Sequence, residues 1–247
     1  MILEACVNSA ISAIEAQKGG ADRVELCENL HEGGTTPSAG SIRFARQNLH
    51  IGLFVMIRPR GGDFLYSDDE FEIMKEDIRV AKELGADGVV FGILLPDGNI
   101  DLERMRVLAG LARPMGITCH RAFDMTADPF KAMEDLIGLG IDRILTSGQQ
   151  PSALQGEMLI RELIGKSAGR IIIMPGSGIK EHNIARLVET TGAKEVHIHL
   201  EKQQPGRMTF RQPSVYMGKP GQPEFEHTVT DPERIRKIRI TNFPAGS

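Results

Sequence analysis

The sequence predicts a single-domain (β/α)8 TIM barrel, an α/β fold, and three observations carry that expectation. The chain has 247 residues, a length at which a closed α/β barrel forms one domain. One local pattern returns four times: Gly20-Ala21-Asp22-Arg23-Val24-Glu25-Leu26, Gly85-Ala86-Asp87-Gly88-Val89-Val90-Phe91, Gly140-Ile141-Asp142-Arg143-Ile144-Leu145-Thr146 and Gly192-Ala193-Lys194-Glu195-Val196-His197-Ile198. The copies begin 52 to 65 residues apart. A βα unit takes roughly 30 residues, so each interval holds two units and the chain holds eight strands.

The elements follow in order. Leu3–Val7 is the first strand. Each repeat copy follows an amphipathic stretch, so a helix ends at the glycine and feeds a buried strand; the four copies supply the even strands. Leu53–Arg60, Gly116–Asp124 and Ile171–Pro175 supply the remaining odd ones. Ser67-x-x-Glu70 is a capping box before Phe71, Met74, Ile78 and Ala81, which share one helical face. Asp128-Pro129 and Asp231-Pro232 each put a capping carboxylate before a first-turn proline. From Glu201 to Thr230 the rhythm stops. This stretch is rich in Gln, Pro and Gly without a period, and is expected to be a long loop after strand eight, at the barrel rim or in an oligomer interface. Residues 1–247 thus read as one domain. The alternative, an open doubly wound sheet, lacks a Gly-x-Gly-x-x-Gly after its first strand.

Composition narrows the function classes. Twenty-nine Lys and Arg against 33 Asp and Glu give a net charge of −4 without long single-sign blocks, which argues against nucleic acid or an anionic membrane as partner. No apolar run reaches about 18 residues, and Met1-Ile2-Leu3-Glu4 does not read as a signal peptide. Three cysteines suit a reducing cytoplasm better than a disulfide framework.

Strand alternation puts Glu4 and Cys6, Glu25 and Cys27, Met56, Arg58 and Arg60, Thr118 and His120, and His197, His199 and Glu201 inside the barrel. Asp124 joins them if the fifth strand runs that far. Cys119 faces out, under the helices. Buried charges need partners, so this set is either an internal ion-pair network or a pocket. As a pocket, Glu4, Glu25, Arg58, His120, Asp124 and His197 form a candidate acid–base set. Arg60, Ser147, Gly148, Gly176, Ser177 and Gly178 are candidates for holding a small carboxylated or phosphorylated anion. Arg58 either clamps that anion or pairs with Glu4 or Glu25. Cys6 and Cys27, inward on adjacent strands, suit the soft ion Cu(I). Weaker readings are a Zn or Mn site on His120, His197, Glu4 and Glu25, and a binding scaffold that uses the 201–230 stretch.

Glu4-Ala5-Cys6-Val7, Arg23-Val24-Glu25-Leu26-Cys27, Glu32-Gly33-Gly34-Thr35-Thr36-Pro37-Ser38, Ile57-Arg58-Pro59-Arg60-Gly61-Gly62-Asp63-Phe64, His120-Arg121-Ala122-Phe123-Asp124 and Leu145-Thr146-Ser147-Gly148 resemble the copper homeostasis protein CutC family, in order, over residues 1 to about 200. The resemblance implies a TIM barrel, a cytoplasmic homo-oligomer (dimer or tetramer), copper handling, and Cu(I) on the thiols matching Cys6 and Cys27. It implies no organic cofactor and assigns no reaction. An enzyme acting on a small anion through the barrel-mouth residues stays open beside it.

Overall fold

A computed structural model describes residues 1–215, 217 and 223–242. Parts of the expected 201–230 loop and of the 1–247 domain, residues 216, 218–222 and 243–247, lie outside the described residues. Eight parallel strands, β1 (Ile2–Val7), β2 (Arg23–Leu26), β3 (Gly52–Met56), β4 (Gly88–Phe91), β5 (Gly116–Cys119), β6 (Arg143–Thr146), β7 (Ile172–Pro175) and β8 (Glu195–Ile198), pair in sequence order. β8 pairs with β1 and adjoins β7, which brings the sheet round into a (β/α)8 barrel. The helices are α1 (Ala10–Gly19), α2 (Ala39–Asn48), α3 (Asp68–Glu83), α4 (Leu102–Ala112), α5 (Pro129–Gly138), α6 (Glu157–Ser167), α7 (Ile184–Thr191) and α8 (Pro232–Asn242). No helix among the described residues is long and apolar enough to cross a membrane.

The local signals read from the sequence explain the boundaries. Ser67 and Glu70 form a reciprocal capping box on α3. Asp128 caps α5 ahead of Pro129. The four repeat glycines, Gly20, Gly85, Gly140 and Gly192, take φ from 70° to 93°, which lets each helix turn tightly into its strand. Outward-facing Leu3, Val24, Val55, Val89, Ile117, Ile144, Ile173 and Val196 are 0–3% exposed and pack under the helices.

Two expectations need correction. The stretch 201–230 is not simply a loop. Glu201–Pro205 (β9) and Glu226–Thr230 (β10) pair as an antiparallel ribbon, Glu201 opposite Thr230. All five residues of β9 are exposed and β10 buries only Val229 and Thr230 at its base, so the ribbon has no continuous buried face to impose alternation on its sequence. Its base is anchored on α1, where Ser12 Oγ accepts from Thr230 N–H at 3.1 Å. The odd strands three and five are also shorter than expected: β3 stops at Met56 and β5 at Cys119. Arg60 and Asp124 therefore sit on loops, Asp124 within a 3-10 turn at Arg121–Met125.

The barrel interior is filled in layers drawn from alternate strands. The lowest even-strand layer is Arg23, Gly88, Arg143 and Glu195, the same position of each repeat copy. Gly88 leaves space for the Phe54 ring from β3, which a methyl at that position would overlap. Gly88→Ala is expected to lower stability by about 1–3 kcal/mol through overpacking. Gly110→Ala, in α4 with nothing within 4 Å of the added methyl, is expected to raise it by about 0.5–1 kcal/mol. Urea denaturation of both variants checks the contrast.

Candidate functional site

The next layers carry the chemistry. Glu25, Val90, Leu145 and His197 share a repeat position, and Glu4, Cys6 and Met56 join them from the odd strands, Glu4 meeting His197 and Cys6 and Met56 clustering with Val90. Arg23 links floor to centre: its Nε–H donates to Glu4 Oε2, and its Nη2 donates to Glu195 Oε2 at 2.6 Å. Arg143 closes the floor by donating to Glu195 Oε2 at 2.6 Å. Both guanidiniums also lie over the Phe54 ring, 4.8 and 5.3 Å from its centroid. The second Glu4 oxygen meets His197 Nδ1 at 2.8 Å, which turns His197 Nε2 toward Glu25 Oε2, 3.8 Å away.

Above this pair sit the sulfurs. Cys27 Sγ lies 3.5 Å from Glu25 Oε2, and Cys6 Sγ, Cys27 Sγ and a Glu25 oxygen all fall within 4.8 Å of one another. All three residues are buried. Cys119 is buried too, but under the helices as its strand parity implies.

Neighbours set the charge states. Glu4 resists desolvation through His197 and Arg23, and its carboxyl is held down at about 2. Burial works against a charge on His197, yet the facing Glu25, Glu4 and Cys6 groups outweigh it and raise its pKa well above the usual range. Burial, with the charges of Cys6 and Glu4 adding to it, pushes the Glu25 carboxyl well above its usual range, against the pull of the facing His197. The thiols act as a pair: the Cys27 S–H faces Cys6, which lowers Cys6 well below an ordinary thiol and raises Cys27. His197 and His199 also favour the Cys6 thiolate.

The other candidates divide. Arg58 pairs with neither Glu4 nor Glu25; its terminal nitrogens donate to the carbonyls of Glu32, Gly34 and Gly62 at 2.7–2.9 Å. His120 is 3% exposed, and its Nε2 has no partner. Burial, then the Arg58 charge, pushes its pKa down to about 3, so it is neutral. Asp124 accepts from Arg121 Nε at 2.7 Å, Thr146 Oγ1 at 2.5 Å and the N–H groups of Ser147 and Gln149 at 3.0–3.1 Å. This carboxylate staples the loops after β5 and β6 and has no lone pair to spare for acid–base work. The same bonds occupy the Ser147 N–H, and Thr146 Oγ1 takes the Gly148 N–H. Gly176 N–H goes to Thr146 O, while Ser177 Oγ donates to Pro151 O. Gly178 carries Ser177's loop onward at φ 72°. Arg60 is spent on Glu70 and Asp63. A divalent ion on Glu4, Glu25 and His197 would have to break the bonds Glu4 already makes to Arg23 and His197.

Arg23, Arg143 and Glu195 share the inward parity of Glu25, Leu145 and His197, two residues further on. Their signal was available in the repeat, where one inward position reads Arg, Gly, Arg, Glu across the four copies. Above the thiols a cleft of about 680 Å³ opens between the barrel rim and the ribbon, lined by His31, His199, Glu201, Glu226, His227 and Thr228 among others. His199 bridges the two levels, its Nδ1 lying 3.2 Å from Cys6 O.

The CutC family model matches residues 1–202. The chain is 50% identical to the human copper homeostasis protein cutC homolog over 238 residues, 96% of this chain and 87% of that protein. It is 51% identical to a CutC family protein of Parabacteroides distasonis over 237 residues, 95% of this chain and 98% of the other. The crystal structure of the copper homeostasis protein CutC of Streptococcus agalactiae superposes with a TM-score of 0.77 at 38% identity, covering 80% of this chain and 97% of that one.

The neutral His120 gives a pH signature. Its pKa is about 3 folded and about 6.5 unfolded. The stability it permits is complete above pH 6.5 and is lost as the pH falls toward 3, because only the unfolded chain takes the proton. Below pH 6.5 the slope contributed is at most about 1.4 kcal/mol per pH unit. Urea unfolding from pH 6.5 to 4.5 should show a shallower decline in His120→Gln than in the wild type.

Proposed function

The chain belongs to the CutC family, and from that premise we propose that it binds Cu(I) through Cys6 and Cys27. The observation that carries this reading is the buried group of two sulfurs and the Glu25 carboxyl within 4.8 Å of one another. Cu(I) is soft and favours thiolates. The Cys27 S–H and the neighbouring imidazoles favour a thiolate on Cys6, while the contact with Cys6 and burial favour the thiol on Cys27; in this reading, binding exchanges one proton for one monovalent ion. The net charge of the axis stays the same. A divalent ion would leave an extra buried positive charge beside His197 and Arg23, which costs several kcal/mol. Cu(I) is the cargo in this reading, and imidazoles of His31, His199 and His227 line its approach. The thiols must be reduced to work, which suits a cytoplasmic protein.

Anaerobic titration of the reduced protein against a chromophoric Cu(I) chelator is expected to show one tight equivalent and the release of about one proton. Cys6→Ser and Cys27→Ser should each weaken binding at least about 100-fold, a change of roughly 2.7 kcal/mol, and Cys119→Ser should not. Equal retention of Cu(I) by all three variants would remove the thiols from the site.

A further inference from the structure

We propose that Arg58, His120 and Tyr66 form a binding site for a small monocarboxylate, separate from the thiol pair. The buried guanidiniums of this barrel are treated in two ways. Arg23 and Arg143 are held by carboxylates. Arg58, 4% exposed, is held by three backbone carbonyls, which fix it in place without supplying a counter-charge. Its Nε–H is buried and has no partner.

Two further buried donors share that condition. His120 Nδ1 accepts from Ala122 N–H at 3.2 Å, so the ring proton sits on Nε2, which is unpartnered. Tyr66, 3% exposed, sets its hydroxyl oxygen beside the Arg58 side chain, and its own O–H has no acceptor. Buried donors are normally satisfied, and leaving one unmet is costly. Three in one neighbourhood, each able to donate, indicate a missing acceptor.

They are one neighbourhood. The Phe64 ring lies 5.1 Å from the Arg58 guanidinium and 5.0 Å from the His120 ring, centre to centre for the latter. The Arg58 charge acts on both His120 and the Tyr66 hydroxyl. Arg60 does not compete, since Glu70 and Asp63 hold it. Phe64 is half-buried between exposed Asp63 and Leu65, so only this loop separates the cluster from the surface.

Charge selects the ligand class. One cation and two neutral donors balance a single negative charge. A carboxylate brings one charge and enough lone pairs for all three N–H and O–H groups. A phosphate dianion would leave a net negative charge in a buried place. The notable consequence is a second recognition element in the same barrel, whose ligand would present an acid group to the β3–β5 sector.

Isothermal titration of the full chain with sodium acetate, with sodium phosphate, and with sodium chloride at matched ionic strength tests this. Acetate is expected to bind one to one and at least about ten times more tightly than phosphate. Tyr66→Phe and His120→Gln should each weaken acetate about tenfold. Without ligand, Tyr66→Phe should fold and melt only slightly below the wild type, since it loses the contact of the hydroxyl with Arg58. Heats with acetate no different from chloride, tighter binding of phosphate, or acetate affinity unchanged in both variants would overturn the proposal.

Discussion

A guanidinium cannot sit on a barrel axis unless anions sit there with it. Arg23 meets that requirement by joining Glu195 below to Glu4 above, and the rest of the interior depends on this link. Because Arg23 holds one Glu4 oxygen, the other is aimed at His197 Nδ1. Because Glu4 fixes Nδ1, Nε2 faces Glu25 and the thiols. The site is therefore assembled from the floor upward, by a run of charge-assisted bonds that are stronger in this buried setting than in water. Removing one partner would strand a buried charge, which is why the network is also a structural element.

Packing and electrostatics serve each other here. Gly88 and Gly116 give the Phe54 ring its room, and that ring then covers the faces of Arg23 and Arg143. The floor thus pairs its cations with carboxylates, while at the mouth the neighbours push the two thiols in opposite directions and raise both Glu25 and His197. Such a set can exchange a proton for a monovalent cation without rebuilding its surroundings. The Arg58 sector differs in kind, because backbone carbonyls rather than carboxylates hold its cation.

Much of this was legible in the sequence, for identifiable reasons. The four-fold repeat that opens on glycine marked the helix ends and even strands, because glycine makes that turn cheaply. Alternation then placed Glu4, Glu25, Cys6, Cys27 and His197 inside together and Cys119 outside. Alternation failed where strands end: Arg60 and Asp124 have the right parity, but β3 and β5 stop before reaching them. The ribbon of β9 and β10 escaped because an exposed two-stranded element imposes no hydrophobic period. Tyr66 carried no signal at all. It lies beyond its strand in a loop, and only the three-dimensional path of that loop brings it to Arg58.

The central claim is that Glu4 and His197 poise the thiol pair, and the ionisation of Cys6 measures it directly. Thiolate absorbance near the far-ultraviolet band should be followed against pH in the reduced, metal-free Cys119→Ser variant, which keeps the Cys27 S–H beside Cys6, with and without Glu4→Gln. The account predicts a thiolate already present well below the ordinary thiol value of about 8.5, and a clear upward shift when Glu4 is neutralised. A Cys6 that titrates like an ordinary thiol in both proteins would contradict it.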